Sequence, residues 1–104
     1  MNIFTTTEKY AVVNILANIM KADGIIHPEE VKYINFVYND LGITIGDLEE
    51  ISNIDDLQAQ LIIQAMSDEA KNRAHSMCVT MSEIDGDVDP RETEIIDRLF
   101  GKID

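Results

Sequence analysis

The residues of this chain best suited to chemistry are carboxylates, and they fall in an eight-residue pattern written twice. Asp23-Gly24-Ile25-Ile26-His27-Pro28-Glu29-Glu30 is followed, 62 residues on, by Asp85-Gly86-Asp87-Val88-Asp89-Pro90-Arg91-Glu92. The shared skeleton is D-G-x-(I/V)-x-P-x-E, and its repetition implies an internally duplicated unit. Oxygen-only ligands favour Ca²⁺ or Mg²⁺ over Zn²⁺, so the chemistry expected is the holding of a hard divalent cation. The candidate metal ligands are Asp23 and Glu30 in the first copy and Glu83, Asp85, Asp87, Asp89 and Glu92 in the second. Only Arg91 opposes the acidic residues between 83 and 92, so the second turn is expected to be the stronger site.

Ordinary backbone chemistry accounts for part of the pattern. Gly24 and Gly86 stand where a helix C-terminus needs positive φ, and Pro28 and Pro90 stand where the next helix needs a preset φ at its first position. Glu30 and Glu92 then fall at the third helical position, from which a carboxylate can reach back to a free backbone N–H and meet the positive end of the macrodipole. Asp89 is a good N-cap and His27 a poor one, while Ile26 and Val88 are expected to pin each turn to the core. Asp23 and Asp85 stay unexplained, because an acidic side chain at a helix C-terminus faces the negative end of the macrodipole. A cation would compensate for them.

The calcium EF-hand loop matches only in its second half. With Gly86 at loop position six, Glu83, Asp85, Asp89 and Glu92 take positions three, five, nine and twelve, but position one is Met81. In the first copy Ile19 and Lys21 occupy positions one and three. Any cation would therefore be held by fewer protein ligands than in an EF-hand, or by both turns jointly.

The apolar spacing that must position these turns is helical nearly throughout. Thr5 and Glu8 have capping-box spacing, and Val12, Ile15, Leu16, Ile19 and Met20 follow at helical intervals to about Ala22. Pro28 opens a second helix with the stripe Val31, Ile34, Val37, Tyr38 and Leu41, stopped by Gly42. The middle reads as a connector and a short acidic helix within 43–53, then an apolar helix from Leu57 to Met66. Ser67 caps a helix carrying Ala74, Met77, Cys78, Met81 and Ile84 inward, and Pro90 starts a last helix with Ile95, Ile96, Leu99 and Phe100, closed by Gly101. The fold expected is all-α: a pseudo-two-fold bundle of about five to seven helices built from two hairpins, forming one domain over residues 1–104.

Read with their flanks, the two copies resemble the signature of the tellurite-resistance TerB-like family, A-D-G-x-(I/V)-x-x-x-E, carried once in each of two helical hairpins. Ala22 to Glu30 fits it, and Ile84 to Glu92 fits it with Ile84 in place of the first Ala. The resemblance covers nearly the whole chain and implies an all-α, pseudo-symmetric bundle. It also implies metal binding at Asp23, Glu30, Asp85 and Glu92, with Asp87 and Asp89 as further ligands, in a context of stress or tellurite resistance without a defined reaction. TerB-like domains also precede some membrane-anchored J-domains, but His27-Pro28-Glu29 has Glu where a J-domain has Asp. The helix before it carries only Lys21 near its end, where a J-domain has a basic helix.

Charge narrows the partners. Twenty acidic residues against eight basic ones give a net charge of −12, which opposes nucleic acid and anionic membranes and favours cations or a basic protein. A lone Cys78 permits a reducing compartment. No signal-peptide pattern opens the chain and no apolar run approaches a membrane span, so a soluble, cytoplasmic protein is expected. His75 and Cys78 are too few for a zinc site, and Met66, Met77 and Met81 read as core filling. Lys71, Arg73 and His75 are too small a cluster for nucleic acid, and Tyr10, Tyr33 and Tyr38 read as amphipathic packing residues. There is no Gly-rich phosphate loop and no Ser, His and Asp set whose proximity the sequence can argue, and a metal hydrolase ranks last because the turns offer no evident substrate pocket, so the expectation is a non-enzymatic cation-binding module. The alternative is a metal-independent domain that docks a basic partner.

Overall fold

Each break that the sequence places with Gly, Pro or an oxygen-bearing cap separates two helices in the computed structural model, which describes residues 3–22, 24–84, 86 and 89–101. In order these are α1 (Thr6–Lys21), α2 (Pro28–Leu41), α3 (Ile45–Ser52), α4 (Asp56–Gln64), α5 (Asp68–Glu83) and α6 (Pro90–Phe100). Among the described residues there is no strand. The chain is an all-α bundle, as the spacing predicts.

Local chemistry sets the ends. At α1 the Glu8 N–H donates to Thr5 Oγ1 (3.2 Å) and the Thr5 N–H donates to Glu8 Oε1 (2.8 Å), the reciprocal pair of a capping box. Asp55 and Gln58 repeat it at α4, and Ser67 Oγ accepts from the Ala70 N–H at α5. The helix forecast between 57 and 66 begins one residue earlier, because Asp55 caps it, and ends at Gln64, two before Met66.

Helix α1 is the axis of the bundle. Its residues 11–16 are buried without interruption, as is Ile19, and an apolar surface on all sides requires neighbours on all sides. All five other helices pack against it. The two long hairpins are related reciprocally: α2 lies on α1 and α5, and α6 lies on α5 and α1. α3 and α4 bridge the hairpins, and α4 also meets α6.

One polar side chain enters the core for this purpose. Asn14, buried in α1, donates through Nδ2 to the carbonyls of Ile51 (3.0 Å) and Ile54 (3.1 Å). Those two carbonyls lie at the last turn of α3 and in its exit, beyond the regular helical ladder, and that of Ile51 also accepts from the Ile54 N–H (3.2 Å). Asn14 thus ties the bridge to the axis.

Some expected core positions face outward. Ile26 is 54% exposed and Val31 39%, so Ile26 does not pin the first turn and Val31 lies off the buried stripe of α2. The reason is phase: Ile34, Val37 and Leu41 set the inward face, and Val31 is three residues before Ile34 on its edge. Ile84 is half-buried at the end of α5. Val88 lies outside the described residues.

Candidate functional site

The two Asp-Gly turns agree bond for bond where both are described. The Gly24 N–H donates to the Lys21 carbonyl (3.0 Å) and the Gly86 N–H to the Glu83 carbonyl (2.9 Å). Both glycines have positive φ, +77° and +80°, a region in which a side chain is strained and glycine is not. At the far end His27 and Asp89 are extended N-caps whose carbonyls accept from Glu30 and Val31, and from Glu92 and Thr93, respectively. Over the residues described in both copies, the sequence repeat is therefore a repeat of backbone geometry.

Both turns end on a buried carboxylate. Glu30 and Glu92 are each 1% exposed, and each sits at the third position of a helix that opens with proline. Burial follows from register. Glu30 is in phase with Ile34, Val37 and Leu41, and Glu92 with Ile96 and Leu99, so each glutamate is the first member of its helix's inward stripe. The aliphatic members stabilise docking by about 1.5–3 kcal/mol each, and they carry the glutamate inward with them.

Dehydrating a carboxylate costs several kcal/mol unless charge and hydrogen bonds compensate. Part of the compensation is visible at Glu30, whose Oε1 accepts from the His27 N–H (3.1 Å), one of the orphan donors at the helix start. Glu30 thus does the capping that His27 was expected to do poorly. The sequence indicated the reach of these glutamates toward backbone N–H groups but not their burial. Their spacing from the apolar stripe was the signal that could have shown it.

The other predicted ligands divide. Asp89 is committed to Arg91: Oδ1 accepts from the Arg91 N–H (2.8 Å) and Nε (3.0 Å), and Oδ2 from a terminal guanidinium nitrogen (2.9 Å). These bonds hold its carboxyl down at a pKa of about 2. Asp89 is therefore an N-cap and ion-pair partner first. Glu83 is exposed on the last turn of α5. Asp23, Asp85 and Asp87 lie outside the described residues. Among the described residues no three His, Cys, Asp or Glu side chains group closely enough to hold a metal ion, so a complete set would need the turn aspartates.

The remaining candidates are structural. Cys78 is buried, and desolvation pushes its thiol up to a pKa of about 12, while His75 packs its ring against Phe100 with centroids 5.0 Å apart. Met66, Met77 and Met81 are core residues. Tyr10 donates to Asp47 Oδ1 at 2.5 Å, linking α1 to α3. A cleft of about 810 Å³ lined by Phe4, Asp40, Glu69, Arg73 and Met77 opens at the ends of α2 and α5 remote from the turns.

No family model matches the chain, and no curated protein or solved structure matches it either.

Proposed function

We propose that this protein is a small, non-enzymatic binding module that holds Ca²⁺ or Mg²⁺ at its Asp-Gly turns, with the turn at 83–92 the stronger. The observation that carries the reading is the pair of equivalent buried glutamates. Each stands seven residues after the aspartate of its turn, and each is held at a fixed helix position by packing. A carboxylate whose rotamer is set by its surroundings loses little freedom on taking a ligand. The turn aspartates, at a helix C-terminus whose dipole repels them, supply the second negative group that a divalent ion compensates.

The donor chemistry fits a hard cation: every nominated side chain offers oxygen, and neither turn offers a thiol. Glu92 with Asp85 and Asp87 forms the core of the stronger site, and Glu30 with Asp23 the weaker one. Asp89 contributes only if the ion displaces Arg91, which sets a cost on its use. The resemblance of the repeated motif to the TerB-like signature implies the same residues and a stress or tellurite-resistance context.

The test is thermal unfolding at constant ionic strength. A cation present at ten times its Kd stabilises the folded state by about 1.4 kcal/mol, a rise in Tm on the order of 5–10 °C. Chelator should reverse the rise, and Glu92→Gln should remove more of it than Glu30→Gln. An equal rise from monovalent salt alone would instead mark general charge screening.

A further inference from the structure

The cleft of about 810 Å³ between the C-terminal end of α2 and the first turns of α5 lies away from both Asp-Gly turns, which precede α2 and follow α5. That volume falls within the ~300–1,000 Å³ of small-molecule sites. Phe4, Leu41 and Met77 line it and are themselves buried, so its apolar surface is offered by side chains that the core already holds in place.

Three exposed charged groups share that lining: Asp40 from α2, and Glu69 and Arg73 one helical turn apart on α5. Among the described residues Arg73 forms no ion pair and no hydrogen bond, although both carboxylates border the same cleft. Its charge is nevertheless felt on the opposite wall. Burial is the main cause of the raised Tyr33 pKa on α2, and beneath it Arg73 lowers the value and Asp40 raises it. Asp40 also stands in the last turn of α2, where no basic residue offsets the negative end of the macrodipole. These signs select the ligand. A simple anion would face two carboxylates, a simple cation would face the guanidinium, and a neutral apolar molecule would dehydrate all three groups without replacing their hydrogen bonds. A molecule with an ammonium, an apolar body and a carboxylate meets each lining group with its complement.

We propose that this cleft binds a small amphipathic zwitterion, an apolar α-amino acid or a short peptide of such residues with free ends. The ammonium lies at Asp40 and Glu69 beside the end of α2, the carboxylate takes the Arg73 guanidinium, and the apolar body covers Phe4, Leu41 and Met77. Occupancy is independent of divalent cation, because the cleft shares no residue with the Asp-Gly turns.

The experiment uses the full chain in excess chelator, which keeps its outcome separate from cation binding. The probes are leucine and leucyl-leucine, each also with its amine acetylated or its carboxylate amidated. Saturable amide NMR shifts at millimolar ligand or below are expected within residues 3–4, 40–41 and 67–77, and the tighter of the two free-ended probes gives the size of the ligand. Blocking either end should weaken binding about tenfold. Arg73→Gln should weaken the free-ended probe about tenfold and leave the amidated one unchanged, while Asp40→Asn should weaken the free-ended probe and leave the acetylated one unchanged. Both replacements alter exposed side chains, and the comparison of blocked with free probes on the unaltered chain needs neither. No saturable binding of either probe, blocked forms that bind as well as free ones, shifts centred outside those residues, or variants that weaken every form alike would overturn the proposal.

Discussion

At the scale of single residues, the same side-chain type has three different fates set by surroundings. Glu30 and Glu92 are dehydrated in the core, Asp89 is neutralised by the guanidinium of Arg91, and Asp47 is bonded to a phenol. The Asp47 bond, backed by burial and the negative charge of Asp47, raises the Tyr10 pKa to about 12, and the same bond, with those from Thr44, lowers that of Asp47. A raised tyrosine pKa means stability that is complete below the unfolded value, about 10, and lost as pH rises through about 12. Absorbance titration should therefore find Tyr10 ionising near pH 12, and Asp47→Asn should bring it down; a titration unaffected by that change would contradict the bond. The sign reverses for Asp89, whose depressed pKa contributes stability above about pH 4 that is lost as pH falls toward about 2. Acid unfolding of Asp89→Asn should accordingly begin from a lower plateau and show less loss over that interval. Cys78, buried and with its pKa near 12, should react with a thiol reagent only at the rate of unfolding.

At the scale of elements, the helices and their ends were legible because their signals are local. Thr5 with Glu8, Pro28, Ser67 and Pro90 each mark a start, and Gly42 and Gly101 each mark an end, through backbone geometry that the residue itself dictates. Which face turns inward was less legible, since phase depends on neighbours. Ile26 and Val31 looked like core and are exposed, while Glu30 and Glu92 looked like caps and are also core. The Asn14 clamp on Ile51 and Ile54 was not legible at all, because its partners are 37 and 40 residues away. Asn14→Ala should destabilise the fold by about 1–3 kcal/mol by removing the amide donor from the Ile54 carbonyl and one donor from the Ile51 carbonyl, which keeps the Ile54 N–H, and denaturant unfolding measures it. A loss below about half a kcal/mol would mean that water replaces the amide without cost.

At the scale of the whole molecule, the radius of gyration is 12.7 Å, close to the ~13 Å of a compact chain of this length. A net charge of −12 is confined to that volume. Self-repulsion of this size destabilises the folded chain, so any salt stabilises it somewhat. A specific site must be separated from that background by location and by saturation. The two buried glutamates, Glu30 and Glu92, at the helix starts that follow the turns mark the location to be read. Amide NMR during a Ca²⁺ or Mg²⁺ titration at fixed ionic strength reads both properties together. The account predicts shifts that saturate at millimolar concentration or below, confined to 22–30 and 83–92, larger in the second segment, and weakened more by Asp85→Asn than by Asp68→Asn. Shifts that are absent from those segments, or that grow linearly over the whole acidic surface, would contradict it.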